Sequence, residues 1–141
     1  MEKKRRILAV DPGETNLGIA LSDPTQTIAS PLKTLSHISR DENAERILSL
    51  AEEHDAEKIV LGQALNWDGS VSYQARKAAR LAAVLEEKTD LPVVLWNEYG
   101  STQKARRARQ KMGVSRKKRG GHLDKLAAVV ILQSYLDSLQ R

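Results

Sequence analysis

The order of apolar runs in this chain predicts an α/β fold, a five-stranded mixed sheet between layers of helices. Three strand-like runs joined by short turns come first, and two more follow, separated by stretches with helical periodicity. A third observation concerns chemistry. The apolar run Ile7-Leu8-Ala9-Val10 stops at Asp11, and the turn signal Pro12-Gly13 follows at once. A carboxylate at such a strand end is held rigidly yet can face a cleft, a combination that metal-dependent phosphate chemistry needs. Alone, the same Asp could simply start the turn.

The elements follow in order. The unbroken apolar run at 7–10 reads as a strand covered on both faces. From Thr15 to Ser22, Leu17, Ile19 and Leu21 alternate with small residues, so this segment is the hairpin partner of the first strand. A third strand is expected over 25–35, and Pro24 and Pro31 mark it as an edge. Asp41 to His54 reads as a helix with Ala44, Ile47, Leu48 and Ala51 on one stripe. Lys58 to Gly62 is a short buried strand. Ser70 is expected to cap a helix reaching Lys88, with Ala75, Ala78, Ala79, Ala82 and Leu85 inward.

Pro92 to Trp96 reads as a further buried strand, with Trp96 in the core. A basic helix from Ser101 to about Lys111, a Gly- and charge-rich loop to Gly121 and a last helix over His122–Leu139 complete the chain. That last helix is expected to bury Leu126, Ala127, Val130, Ile131 and Tyr135. The right-handed crossover rule lines the later strands up parallel to the first, on the side away from its hairpin partner. Ligands of such open sheets sit beyond the carboxyl ends of the strands.

The chain has 141 residues, enough for one domain with a real core and too few for two. There is no cysteine, hence no disulfide and no Cys-ligated zinc, which fits a reducing compartment. No stretch approaches a membrane span and no secretory signal is visible, so a soluble cytoplasmic protein without a membrane partner is expected. The net charge is +5 and the pI about 9.6, which favours a polyanionic partner. The distribution sharpens this: Lys104, Arg106, Arg107, Arg109, Lys111, Arg116, Lys117, Lys118 and Arg119 lie together with no acid among them. Solvated helix faces usually mix signs. We expect Lys104, Arg107, Lys111, Arg116, Lys117, Lys118 and Arg119 to contact nucleic acid.

Three carboxylates stand out, Asp11 after the first strand, Glu98 after the last, and Asp124 in the first turn of the final helix. Converging carboxylates repel one another unless a divalent cation neutralises them, and Mg²⁺ or Mn²⁺ also takes phosphate oxygens and water as ligands. A pair of ions can stabilise both the attacking and the leaving oxygen of a phosphodiester displacement. Local alternatives stay open: Glu98 pairing with an Arg, and Asp124 interacting only with its helix N-terminus.

These segments together resemble the bacterial Holliday-junction-resolvase-like proteins, also called pre-16S rRNA nucleases, of the RNase H-like superfamily. The resemblance covers almost the whole chain. It is carried by Ile7 to Gly13 with Asn16 to Asp23, by Ile59 to Gly62 with Asp68-Gly69-Ser70, by Trp96-Asn97-Glu98 before Thr102 and Ala105, and by Leu123 to Leu136. It implies an RNase H-like three-layer fold with strand order 3-2-1-4-5. The implied activity is divalent-metal-dependent endonucleolytic cleavage at the 5′ end of 16S rRNA precursors, with resolution of branched DNA as the older association. By resemblance, Asp11, Glu98 and Asp124 are the catalytic metal-binding acids, served by Mg²⁺ or Mn²⁺. A branched DNA substrate suits a homodimer, whereas an rRNA end needs only a monomer.

The chain departs from the family pattern after the last strand. Asn97-Glu98-Tyr99 stands where the family has Asp-Glu-Arg, removing an acid and a phosphate clamp. His122 is a further candidate ligand or proton shuttle, Asp68 a reserve acid or a turn residue, and Trp67, Tyr73 and Tyr99 candidate base-stacking rings. Two competing readings remain. The stretch Asp11 to Ala20 also looks like the first phosphate loop of actin-like ATPases and sugar kinases, which need more than twice this length. A non-catalytic RNA-binding ribosome-assembly module that kept the nuclease fold is the other.

Overall fold

The computed structural model describes residues 5–63, 68, 70–97 and 121–140, with the side chains of 121–124 outside that set. Five strands form one sheet: β1 (Arg6–Pro12), β2 (Asn16–Ser22), β3 (Ala29–Ser36), β4 (Ala56–Gln63) and β5 (Val93–Asn97). Among the described residues three helices cover it, α1 (Arg40–Glu53), α2 (Tyr73–Lys88) and α3 (Gly121–Leu139). The sheet order is β3-β2-β1-β4-β5. β1 runs antiparallel to β2 and parallel to β4, and β5 is parallel to β4. The expected mixed sheet and its order are therefore present. The basic helix expected over 101–111 and the loop after it lie outside the described residues.

Strand alternation divides the interior into two layers. Leu8 and Val10 of β1, Leu17 and Ile19 of β2 and Ile59 and Leu61 of β4 face α1 and α2. Ile7, Ala9, Ala20 and Val60 face α3, where Ala128, Ile131, Leu132, Tyr135 and Leu136 meet them. Small residues on the α3 side of β1 and β2 let the helix approach the sheet closely. Both faces of β1 are thus covered, as its unbroken apolar run requires.

Several details differ from the sequence expectation. Ser72, not Ser70, caps α2: its Oγ accepts from Ala75 N at 3.0 Å. Ser70 instead donates its backbone N–H to Asp68 Oδ1 at 2.9 Å, so Asp68 makes a turn, and hydrogen bonds from Ser70 hold its carboxyl below the usual range. Strand β3 starts at Ala29, after a loop organised by Asp23, and Pro31 sits beside a register irregularity between Ile19 and Ala20. A bulge on an outer strand is where a ladder tolerates a residue without an N–H. Leu50 and Leu81 are buried while Leu48 and Ala79 are only half-buried, a rotation of each predicted stripe by part of a turn.

Strand β5 was expected to be fully buried, yet Leu95 is exposed and Val93, Val94 and Trp96 are half-buried. Among the described residues β5 pairs on one side only, with β4. An apolar run reports which faces are covered and not whether a strand ends the sheet. Trp96, half-buried, packs at the margin of the core layer that faces α3. It meets Tyr135 edge-on, with centroids 5.1 Å apart, and its indole N–H donates to Ser134 Oγ at 3.1 Å. On α3, Leu126 and Val130 are exposed, and Ala128, Leu132 and Leu136 take the buried stripe alongside Ala127, Ile131 and Tyr135. That helix is apolar nearly all round from Leu126 to Leu132, so its own periodicity cannot choose a face.

The β2–β3 loop supplies a stability prediction. Asp23 Oδ1 accepts from the backbone N–H of Thr27 at 2.8 Å and of Ile28 at 2.9 Å, and Thr25 Oγ1 donates to Oδ2. These bonds, that of Ile28 first, hold the Asp23 carboxyl far below its ordinary value. A depressed folded-state pKa contributes stability above the unfolded pKa of about 3.9 and loses it as pH falls through the folded value. Asp23→Ala is expected to lower the urea midpoint at pH 7, and its deficit against the parent chain to shrink as both are titrated below about pH 4. An equal deficit at pH 7 and pH 2 would remove Asp23 from this role.

Candidate active site at the carboxyl end of the central strands

Asp11 is the next-to-last residue of β1 and is 7% exposed. Alternation puts it on the α3 side of the sheet, in step with Ile7 and Ala9. Its cross-strand partner on β2 is Gly18, and opposed residues project from the same face. A Cβ-bearing residue at 18 would stand roughly 5 Å from the Asp11 Cβ and crowd the carboxylate. The glycine spares Asp11 that crowding. Gly18→Val is expected to cut kcat/KM about 10²-fold, the scale of a displaced reacting group, while leaving the far-UV CD spectrum unchanged. Unaltered turnover would mean that the space beside Asp11 serves no ligand.

The turn beyond Asp11 is fixed from several directions. Gly13 N–H donates to Asn16 O at 2.9 Å, closing the hairpin. His37 N–H donates to Thr15 O at 2.9 Å, and Gln74 Nε2 donates to Glu14 Oε1 at 3.0 Å. The β3–α1 connection and the start of α2 therefore both grip the loop that follows the carboxylate.

Helix α3 runs antiparallel to β1. Near its C-terminus, Gln140 Nε2 donates to Gln26 O at 3.4 Å, and Gln26 Nε2 donates to Arg5 O, at the entry to β1, at 2.7 Å. Midway, Gln133 Oε1 accepts from Ala29 N–H, and Lys58 Nζ donates to Tyr135 Oη at 2.8 Å. A helix of 19 residues spans about 28 Å, slightly more than the seven residues of β1 cover. Its first turn, which contains Asp124, consequently lies toward the end of the sheet where Asp11 sits.

Of the three acids picked out from the sequence, Asp11 is described in full and Asp124 by its backbone within α3, while Glu98 lies outside the described residues. Lys104, Arg107, Lys111, Arg116, Lys117, Lys118 and Arg119 also lie outside them, as do His122's side chain, Trp67 and Tyr99. Among the described residues no group of three or more His, Cys, Asp or Glu gathers at one place. Asn97 ends β5 at the same edge as Asp11. A residue that sequence reasoning passed over is Gly18, since the alternation around it marks a strand but not which residue faces Asp11.

The mixed sheet in this order, with helices on both faces and an acid at the end of its central strand, is the three-layer α/β arrangement that the resolvase-like resemblance implies. The chain belongs to the RuvX family of Holliday junction resolvases, whose model matches residues 5–138. It is 39% identical over 134 residues to a Thermoanaerobacter pseudethanolicus protein named "Putative pre-16S rRNA nuclease", covering 94% of this chain and 96% of that one. A Geobacillus protein of the same name is 42% identical over 137 residues, covering 96% and 99%. The solved T. thermophilus RuvC in complex with a Holliday junction substrate superposes with a TM-score of 0.57 at 17% identity, with 96% of each chain covered. At that identity the likeness concerns the fold.

Proposed function

We propose that this chain, as one domain, is a divalent-metal-dependent endonuclease acting on the 5′ end of 16S rRNA precursors. The observation that supports this most directly is Asp11, a nearly buried carboxylate at the end of the central strand with a side-chain-free neighbour at Gly18. Support for the substrate comes from relatives about 40% identical over nearly their full length, whose name specifies pre-16S rRNA. A hard carboxylate oxygen on a rigid strand end suits Mg²⁺ or Mn²⁺ better than a softer metal. Asp11, Glu98 and Asp124 would hold the ion, which when bound supplies charge neutralisation and water activation. The chain's own part is to fix Asp11, through the pinned 13–15 turn, and to hold the strand by its phosphates through the cations at 104–119.

The test uses labelled rRNA precursor and a four-way DNA junction, each with Mg²⁺, with Mn²⁺ and with EDTA. Cleavage of the precursor that EDTA abolishes is the expected result. Cleavage surviving EDTA would end the metal-dependent reading, and cleavage of the junction alone would transfer the activity to branched DNA. Replacing Lys117, Lys118 and Arg119 by Gln is expected to weaken binding and to lower the slope of log K against log salt, by about 0.7 for each single-strand phosphate no longer neutralised. An unchanged slope would place the phosphate-binding cations elsewhere.

No helix among the described residues is long and apolar enough to cross a membrane.

A further inference from the structure

On the opposite face of the sheet from Asp11, but at the same end, lies an open pocket of about 290 Å³ lined by Gly13, His37, Arg40, Asn43, Lys77 and Leu81. Its ionisable lining is entirely basic or imidazole. The neighbouring acids are Glu14, held by Gln74, and Asp41 and Glu42 in the first turn of α1, none of which lines the pocket.

The pocket is built rather than incidental. Asn43 is 2% exposed, and its Oδ1 accepts from Ile38 N–H at 3.1 Å and from Arg46 at 2.7 Å. Those two donors identify Oδ1 as the amide's oxygen, so its Nδ2 is the donor toward His37 Nδ1, 2.8 Å away. His37 Nδ1 must then accept, which leaves the ring hydrogen on Nε2. A buried amide thus presets an imidazole as an N–H donor beside a guanidinium and an ammonium. That donor set suits phosphate oxygens.

An exposed ring adjoins the pocket. Tyr73 is 60% exposed at the start of α2, and Lys77 Nζ stands 5.2 Å from its ring centroid. Cations gathered beside an accessible aromatic ring are the pattern by which single-stranded nucleic acid is held without sequence preference.

We propose that His37, Arg40 and Lys77 form a second phosphate-binding site for a single-stranded nucleic acid, with Tyr73 as the adjoining base platform. The strand crosses the 13–15 turn, so one end lies over α1 and α2 while the other reaches Asp11. This rests on the nuclease reading only for the class of partner.

The experiment measures binding of a fluorescent 12-nucleotide single-stranded RNA in EDTA, across a salt series, alongside cleavage with Mg²⁺. Arg40→Gln/Lys77→Gln is expected to lower affinity roughly tenfold at 0.1 M salt and to reduce the salt slope by about 1.4, the value for two single-strand phosphates. Tyr73→Ala is expected to lose about fivefold or more, with Tyr73→Phe restoring binding. Arg5→Gln removes the same kind of charge at the far end of β1 and measures the general charge effect. Arg40 and His37 are exposed and Lys77 half-buried, so the fold tolerates these changes, and CD verifies it. A double variant whose slope matches the parent chain, or whose loss per charge equals that of Arg5→Gln, overturns the proposal. Absence of cleavage in every protein, with the Arg40/Lys77 effect on binding intact, would instead overturn the nuclease reading alone.

Discussion

Asp11→Asn is expected to abolish measurable cleavage, with a loss of the order of 10²–10³-fold or more, the scale found when a pre-positioned electrostatic group is removed from a reacting centre. The substitution keeps the side chain's shape and removes its negative charge. Asp11 is 7% exposed, ends the central strand and faces Gly18, so an isosteric amide fits the same space. Folding is therefore expected to survive, and urea midpoints for the two proteins establish that. The expected loss is confined to turnover. Affinity for precursor RNA in EDTA should stay close to that of the parent chain, because the proposed phosphate-binding groups lie on other elements. Retention of cellular function by Asp11→Asn would favour the non-catalytic assembly module, for which the acid is only a turn residue.

The second large effect concerns α3. Leu132 is fully buried among Ile7, Ala9, Ala20 and Val60, and it belongs to the helix whose first turn carries Asp124. Leu132→Ala is expected to cost about 2–5 kcal/mol, the transfer term of the deleted atoms plus the cavity left behind. Total stability of a domain is typically about 5–15 kcal/mol, so this is a severe lesion. Ile59→Ala removes similar volume from the other layer, against α1 and α2. Comparable destabilisation is expected there, yet with smaller loss of turnover at a temperature where both variants remain folded, because α3 keeps its seat. Val130→Ala, on the exposed side of α3, should stay within about 0.5 kcal/mol of the parent. Denaturant midpoints and kcat/KM on the same preparations check all three. Equal turnover losses for Leu132→Ala and Ile59→Ala would uncouple α3 seating from the site.

The strand pattern was legible because burial on one or two faces leaves period-two or unbroken apolar runs. Ile7 to Val10 and Leu17 to Leu21 carry that signal without ambiguity, and both strands lie where expected. Stripes were harder to read where small residues are abundant. In α2, Ala79 and Leu81 could each complete a face with Ala75, Ala78 and Ala82, and Leu81 does so, joining the core layer between the sheet and α1 and α2. Caps show the same limit: Ser70 and Ser72 are chemically equal, and Ser72 is the cap because the helix begins at Tyr73 and puts Ala75 N–H within reach of its Oγ. The site was legible in part. Asp11 announced itself as a polar residue at the end of an apolar run, whereas Gly18 and the Asn43–His37 pair have no local pattern, since each depends on a partner in another element.

Local chemistry alone therefore specified the strands, the helices and the acid at the end of β1, because side-chain periodicity and turn preferences act over a few neighbouring residues. Docking selected the face that α3 buries, the outer position of β5, the glycine beside Asp11 and the basic pocket behind the hairpin turn. Those features arise from segments distant in the chain meeting, such as Leu132 with Ile7 and Ala9, or His37 and Arg40 with Lys77 and Leu81 of α2. Such pairings are settled by which packing excludes most water while leaving polar groups bonded, a property of the assembled layers and of no single stretch of sequence.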